Sequence, residues 1–172
     1  EIAPGDVTNS ATLLAATKGV WGVVHAAGCV LMGWRSAELH ESVNHVGTQH
    51  VAEAARRAGA RMVYVSTINA LGVGARDRPA DEQWVAGPNV PCPYVLSKQA
   101  AEHSVREQIE LGLDARIVNP GLMFGPWDWK PSSGRMLLEV VRRFTPVAPA
   151  GGISVCDVRD VAHGIVTALA NA

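Results

Sequence analysis

The stretch RMVYVS, residues Arg61–Ser66, is a short apolar run that predicts a buried β-strand. A similar run, WGVVHA at Trp21–Ala26, is rich in β-branched residues and is typical of a strand buried on both faces. Ala115–Val118 is a third run of this kind. Together the three runs predict three short strands of one sheet.

Helical segments separate these runs. Ala37–Ala58 carries apolar or small residues at helical spacing, and Gly59 is placed to stop it. Tyr94–Glu110 contains neither Pro nor Gly, and we expect this helix to end near Gly112. Alternation of short apolar strands with helices predicts an α/β fold with a doubly wound parallel sheet.

The rest of the sequence predicts loops, shorter helices and one further strand. Gly, Pro and Asp punctuate the segments between them and predict loops at Thr67–Pro93 and Trp127–Ser133. The other predicted elements are a helix at Ala11–Thr17 capped by Thr8-Asn9-Ser10, a helix at Gly134–Phe144, a strand at Ile153–Cys156, and a helix at Val158–Ala170 capped by Asp157.

The composition is that of a globular protein of 172 residues, enough for one domain. Lys plus Arg total 15 against 16 for Asp plus Glu, so no basic field indicates a nucleic-acid partner. Three widely spaced cysteines without a CxxC pair favour reduced thiols in a cytoplasmic protein. No apolar run approaches the ~20 residues of a membrane span. Because the first residue is not Met, we expect an internal fragment.

Tyr94 and Lys98 lie four residues apart at the start of a predicted helix, so both side chains project from one helical face. A phenol is a poor proton donor or acceptor at neutral pH because its free pKa is about 10. A neighbouring ammonium favours the phenolate and lowers that pKa, as general acid–base catalysis requires. The alternative is an ordinary helix start with a half-buried tyrosine and a solvated lysine.

Small, polar or turn-forming residues follow each predicted strand. In open parallel sheets, ligands bind at the carboxyl ends of the strands, so these residues are candidates for the floor of a cleft. The alternative is that strand ends generally have this composition. The residues are Ala26-Ala27-Gly28, Ser66-Thr67 and Asn119-Pro120-Gly121.

Six segments, in register along nearly the whole chain, resemble the extended short-chain dehydrogenase/reductase proteins, also called the NAD-dependent epimerase/dehydratase group. Within that group the chain looks most similar to the dihydroflavonol-reductase-like and sugar-epimerase-like members. The resemblance implies a Rossmann-type fold. The segments are GDVTNSATLLAATKGVWGVVHAAG, NHVGT at Asn44–Thr48, VYVSTINALG at Val63–Gly72, YVLSK, VNPGLMFGP at Val118–Pro126 and DVRDVA at Asp157–Ala162.

The resemblance implies a catalytic set of Thr67, Tyr94 and Lys98. Tyr94 would exchange a proton with a substrate oxygen as hydride moves to or from the nicotinamide. Lys98 would lower the pKa of Tyr94 and hydrogen-bond the nicotinamide ribose. The Thr67 hydroxyl would hold the substrate oxygen, with Ser66 as the neighbouring candidate. The alternative for Thr67 is a turn hydroxyl that caps its own backbone.

The resemblance also implies NAD or NADP as cofactor. Asp6 would accept the exocyclic amine of adenine, and small residues after the first strand would let the dinucleotide approach the backbone. Asn44 would support the site, unless it is merely a polar residue in a helix interior. The implied cofactor-binding residues are Asp6, Val7, Ala26, Ala27, Gly28, Asn44, Ser66, Tyr94, Lys98, Asn119 and Pro120.

The glycine-rich GxxGxxG loop of the family, which places the pyrophosphate at a helix N-terminus, is absent from the sequence. We therefore expect residues 1–172 to be a partial NAD(P)-binding Rossmann domain that lacks its N-terminal βαβ unit. Parts of a substrate lobe are expected at about 122–157, and the rest of that lobe is expected to be missing. The whole protein would be an enzyme, whereas this piece alone would be inactive.

The resemblance allows three functions. The first is an oxidoreductase that transfers hydride between a nicotinamide and a carbonyl or secondary alcohol. The alternatives are a nucleotide-sugar epimerase or dehydratase and a non-catalytic dinucleotide-sensing protein on the same fold. The expected partners are a small carbonyl, alcohol or nucleotide-sugar substrate and a second copy bound through the two long helices. The histidines lack the spacing of metal ligands, so we expect no metal.

Overall fold

The structure is a computed structural model that describes residues 2–31, 34, 36–75, 77–83, 92–129, 133–143 and 152–171. Among the described helices, none combines the length and the apolar character needed to cross a membrane. The elements in chain order are α1 (Ser10–Ala16), β1 (Gly22–His25), α2 (Ala37–His40), a π-helical turn (Glu41–Val46), α3 (Gly47–Ala58), β2 (Arg61–Val65), a 3₁₀ turn (Ile68–Ala70), α4 (Pro93–Glu110), β3 (Ala115–Val118), β4 (Leu122–Phe124), α5 (Ser133–Arg142), β5 (Val155–Asp157) and α6 (Val158–Ala170).

The main sheet contains three parallel strands in the order β1-β2-β3, which confirms the predicted alternation. Val24 of β1 pairs with Val63 of β2, and Val63 pairs with Arg116 of β3. Because all three strands run in the same direction, their carboxyl ends meet at one edge of the sheet. This edge is where ligands bind in open α/β sheets.

The core lies between the sheet and helices α3 and α4. Met62 and Tyr64 of β2 pack there with Ala52 of α3 and Val105 of α4, and all four are at most 1% exposed. Val63, whose side chain points to the opposite face, is also fully buried. Helix α6 contacts all three strands. Strand β2 is therefore buried on both faces, as its apolar run predicts.

Strand β1 is less buried than its sequence predicts. Val23 packs against the core, but Val24, on the opposite face, is 45% exposed, and Trp21 lies just outside the strand. The prediction of a strand buried on both faces is wrong for β1. A β-branched run reports a preference for extended backbone, whereas burial depends on which distant elements cover each face.

The predicted helix at Ala37–Ala58 forms as one helical segment, but a π turn at Glu41–Val46 interrupts its α-helical hydrogen bonding. Gly59 ends the segment with a φ of +66°, which confirms the predicted stop. A π turn admits an extra residue and widens the helix locally. Apolar periodicity does not reveal such a turn, because the pattern resumes after it.

Strands β4 and β5 form a separate two-stranded parallel sheet. The predicted strand at Ile153–Cys156 begins two residues later, at Val155. The sequence did not predict β4, because three residues between Gly121 and Gly125 resemble a loop.

Asp157 caps α6 as predicted, since its carboxylate accepts a hydrogen bond from Arg159 N–H. The predicted loops at Thr67–Pro93 and Trp127–Ser133, and the helix end at Phe144, extend outside the described residues.

Gly121 lies against the backbone of the segment that precedes β5. A Cβ at Gly121 would lie 2.5 Å from the Ser154 carbonyl oxygen, which accepts a 2.8 Å hydrogen bond from Leu122 N–H. Gly121→Ala is therefore expected to push β4 from β5 and to lower the free energy of unfolding by about 2 kcal/mol. Gly152→Ala is the matched control, because a Cβ there meets no atom within 4 Å. Equal urea-unfolding midpoints for the two variants would contradict this expectation.

Candidate active site

The residues that follow the three strands lie together at the carboxyl edge of the sheet. Ser66 N–H donates a 2.8 Å hydrogen bond to the Val118 carbonyl, and Asn119 Nδ2 donates a 3.0 Å hydrogen bond to the Thr67 carbonyl. These bonds hold the end of β2 against the end of β3. Ala26, Ala27 and Gly28, which follow β1, are exposed along this edge.

A cavity of about 670 Å³ opens beside the ends of β2 and β3. Thr67, Tyr94 and Pro120 line it, so two strands and helix α4 contribute to one wall. Arg135, on α5, is the one charged side chain among the described lining residues. The apolar part of the wall consists of Val30, Leu31, Ile68, Leu122, Met123 and Ile153.

Tyr94 occupies the first turn of α4 and is partly buried. Burial raises the pKa of its phenol, a hydrogen bond with the Thr67 hydroxyl lowers that pKa, and Cys92 raises it further. The sequence led us to expect a pKa lowered by Lys98, and the structure shows a raised pKa instead. The phenol is therefore protonated at neutral pH and is a proton donor to the cavity.

Lys98 is 6% exposed, which excludes the alternative of a solvated side chain. Its ammonium donates a 2.8 Å hydrogen bond to the Val65 carbonyl and lies 4.6 Å from the ring centroid of Tyr64. Burial lowers the pKa of Lys98 to about 8, and the charge of Glu102 opposes that fall. The ammonium is thus held at the carboxyl end of β2.

The two candidate hydroxyls after β2 have different partners. Thr67 Oγ1 accepts a 3.3 Å hydrogen bond from Asn69 N–H, so Thr67 does cap its own turn, and its hydroxyl lowers the pKa of Tyr94. Ser66 Oγ donates a 2.6 Å hydrogen bond to Glu102 Oε1. Because the Ser66 proton is committed to a buried carboxylate, the geometry favours Thr67 as the hydroxyl available to a bound molecule.

Asn44 lies in the π turn, 1% exposed, and connects two separate segments. Its Oδ1 accepts a 2.7 Å hydrogen bond from Cys29 N–H, and its Nδ2 donates a 3.0 Å hydrogen bond to the Cys29 carbonyl. Nδ2 also donates to Ser97 Oγ at 3.1 Å, and Ser97 Oγ donates to the Tyr94 carbonyl at 2.8 Å. Asn44 therefore joins the loop after Gly28 to the helical turn that carries Tyr94.

The sequence did not single out three buried side chains of this site, His40, Ser97 and Glu102. His40 Nε2 donates a 2.8 Å hydrogen bond to the Leu31 carbonyl, and its Nδ1 lies 3.1 Å from Asn44 Nδ2. The sequence spacing of all three residues could have indicated that they belong to the site. Each lies three or four positions from a candidate residue on the same helix and therefore shares its face.

The exposed small residues after β1 fit a dinucleotide that lies across the sheet edge, because no bulky side chain covers their backbone. A Cβ at Gly28 would lie 3.4 Å from Asn44 Oδ1, a tight contact. Asp6 is exposed, and hydrogen bonds from the Thr8 N–H and hydroxyl hold its pKa below the usual range. Val7 packs against Gly47 at the start of α3.

His25 is a neutral core residue, as the sequence favours. Its Nε2 lies 2.9 Å from Thr48 Oγ1, and burial together with the charge of Lys98 lowers its pKa to about 4. Within the described part of the chain, no three or more His, Cys, Asp or Glu side chains are grouped so that they could hold a metal ion.

A model of the NAD dependent epimerase/dehydratase family matches residues 1–172. The chain belongs to this family. The match confirms the resemblance carried by the six sequence segments. It also agrees with the parallel sheet and with the cleft at its carboxyl edge.

Individual relatives agree with the assignment to this family. It is 35% identical over 170 residues to sterol demethylase protein B of Methylococcus capsulatus, which covers 94% of this chain and 50% of that protein. It is 34% identical over 163 residues to a putative dihydroflavonol 4-reductase of Synechocystis. This match covers 93% of this chain and 47% of that protein. The crystal structure of gox2253 has a TM-score of 0.87 at 35% identity and covers 99% of this chain and 53% of that one. The chain thus spans about half the length of the curated relatives it matches.

Proposed function

We propose that the whole protein is an NAD(P)-dependent oxidoreductase that transfers hydride between a nicotinamide and a carbonyl or secondary alcohol. The observation that carries this proposal is the placement of Thr67 and Tyr94 on the wall of one cavity, with Lys98 buried one helical turn after Tyr94. The nicotinamide, when bound, supplies or accepts the hydride.

The side chains of this chain would supply the proton and hold the substrate. In the direction of reduction, the Thr67 hydroxyl donates a hydrogen bond to the carbonyl oxygen, and Tyr94 transfers its proton to that oxygen as the alkoxide develops. The Thr67 hydroxyl, which lowers the pKa of Tyr94 in this structure, would stabilise the phenolate that remains, while the ammonium of Lys98 stays bonded to the Val65 carbonyl. In the direction of oxidation, the Tyr94 phenolate takes the proton of the substrate hydroxyl.

The cofactor would lie across the carboxyl edge of the sheet. We assign the adenine contact to Asp6 and Val7, and the turn beside the nicotinamide to Asn119 and Pro120. The run Ala26-Ala27-Gly28 would face the dinucleotide backbone, where the absence of large side chains permits a close approach. Lys98 would hydrogen-bond the nicotinamide ribose.

The cavity wall favours a largely apolar substrate. Six apolar side chains face it, and Arg135 supplies the one charge among the described lining residues. A nucleotide sugar carries a diphosphate, which proteins usually bind with several cationic or N–H donors. One relative is named for a sterol, a molecule with the apolar character of this wall. These observations favour a reductase or dehydrogenase over the alternative, an epimerase or dehydratase of nucleotide sugars.

The alternative keeps support from the family, whose description names epimerases and dehydratases. Transient oxidation of a sugar hydroxyl would use the same Thr67, Tyr94 and Lys98 set. A dinucleotide sensor without catalysis is disfavoured, because Tyr94 and Lys98 are both present and Tyr94 lines the cavity. The nature of the substrate therefore separates the first two functions.

The test is to titrate the whole protein with NADH and NADPH and then to compare apolar cyclic ketones with nucleotide sugars as substrates. We expect one reduced nucleotide to bind and kcat/KM to be at least about tenfold higher for the ketones. Met123→Asp, on the cavity wall, is expected to lower that kcat/KM by about tenfold or more. Met136→Asp, on the exposed part of α5, is the control. Failure to bind either nucleotide would overturn the proposal, and turnover of nucleotide sugars alone would favour the epimerase.

A further inference from the structure

Glu102 lies one helical turn after Lys98 on α4 and is 6% exposed. Its Oε1 accepts two hydrogen bonds of 2.6 Å, one from Ser66 Oγ and one from Asn119 Nδ2. Its Oε2 lies 3.2 Å from Nη2 of Arg106, whose side chain is 56% exposed. A single carboxylate therefore joins helix α4 to the residues that follow β2 and β3.

Burial of a carboxylate is costly unless charges or hydrogen bonds compensate it. Glu102 contacts two neutral hydrogen-bond donors and one exposed guanidinium directly. The ammonium of Lys98 is the second cation that interacts with it, and the Glu102 charge raises the pKa of that ammonium against the effect of burial. The charge of Glu102 thus favours the charged form of the buried lysine one helical turn earlier on α4.

The other titratable groups around Lys98 are neutral at pH 7. His25 of β1 has a pKa of about 4, and burial raises the pKa of both Tyr64 of β2 and Tyr94 of α4. Glu102 is therefore the buried negative charge that Lys98 meets among the described residues. Loss of this charge would leave burial unopposed and would favour the neutral amine.

We propose that Glu102 is a positioning residue of the proposed active site: its carboxylate fixes the ends of β2 and β3 against α4 and keeps the ammonium of Lys98 charged. The importance of that charge for turnover rests on the proposed function. The charge itself can be measured without cofactor, substrate or turnover.

Lysine NMR measures the charge state of Lys98 directly. The spectrum is simple, because the chain has only three lysines, Lys18, Lys98 and Lys130. In ¹³C-lysine-labelled protein, Lys98→Arg assigns the Lys98 signal, which is then titrated. Glu102→Gln retains an oxygen that can accept from Ser66 and Asn119 but has no charge. We expect this variant to lower the pKa of Lys98 by about one pH unit.

Glu107→Gln is the matched control, since Glu107 is on the same helix with a side chain 51% exposed. It is expected to leave the pKa of Lys98 unchanged. Arg106→Gln, an exposed substitution, provides a second test if Glu102→Gln does not fold. It removes the cation that shares the Glu102 charge, so the pKa of Lys98 is expected to rise.

An unchanged pKa of Lys98 in Glu102→Gln, or in Arg106→Gln if the first variant does not fold, would overturn the proposal. An equal fall in Glu107→Gln would also overturn it, because the effect would not be specific to the buried carboxylate. In the whole protein, Glu102→Asp is expected to restore part of the turnover that Glu102→Gln loses. If Lys98 titrates as expected and the whole protein binds neither nucleotide, the role of Glu102 stands and the proposed function fails.

Discussion

Replacement of Tyr94 with Phe is expected to lower the turnover of a carbonyl substrate by about 10²- to 10⁴-fold while the protein still binds reduced dinucleotide. Phe retains the ring, which lies edge-on to His40 with centroids 6.0 Å apart, and removes only the hydroxyl that carries the proton. The measurement is kcat for nucleotide oxidation by the whole protein, together with a fluorescence titration of the bound nucleotide. Turnover at the wild-type level would refute the role of Tyr94.

Leu96→Ala is the matched control for this variant. Leu96 lies on the same turn of α4, is 52% exposed and does not line the cavity, so its truncation should leave kcat unchanged. The pH dependence gives a second check. Because burial raises the pKa of Tyr94, reduction should persist above neutral pH and decline only as the phenol ionises. Oxidation, which needs the phenolate, should accelerate over the same alkaline range.

Asn44→Ala is expected to lower the free energy of unfolding by about 3 kcal/mol. The truncation leaves the N–H and carbonyl of Cys29 without their side-chain partner and removes a donor to Ser97. Each buried polar group that loses its partner bears a desolvation penalty of about 1–3 kcal/mol. Urea unfolding with a shared m-value measures the difference.

The control for Asn44→Ala lies in the same π turn. His45 pairs with Glu41 at the surface, where an ion pair contributes about 0–1 kcal/mol, so His45→Ala should shift the unfolding midpoint little. A midpoint for Asn44→Ala equal to that of His45→Ala would show that the bonds to Cys29 do not stabilise the fold.

The main sheet could be predicted because its strands are short apolar runs and glycines mark the ends of its long helices. The burial of individual strand faces could not be predicted. Val24 and Val63 are the same residue type and are register partners in adjacent strands, yet one is 45% exposed and the other fully buried. The difference lies in the elements that cover each position, and a local pattern carries no information about them.

In the site, too, local relations could be predicted from the sequence and contacts between distant segments could not. The spacing of Tyr94 and Lys98 correctly placed them on one helix, because that relation is local. The direction of the Lys98 ammonium depends on a carbonyl 33 residues earlier, that of Val65, and on the ring of Tyr64. The predicted lowering of the Tyr94 pKa is not found, because burial of the phenol raises that pKa. The bonds of Glu102 likewise join segments that are distant in sequence.

The π turn at Glu41–Val46 corresponds to one residue inserted into an α-helix. Residues on its two sides are therefore out of phase with an uninterrupted helix by about 100°. Loss of a single residue from this turn would make the helix regular and would rotate Asn44 away from Cys29 or from Ser97. Substitutions at the exposed positions of this turn keep its number of residues and should be tolerated. A one-residue deletion would preserve the helix but would disconnect the loop after Gly28 from the turn that carries Tyr94.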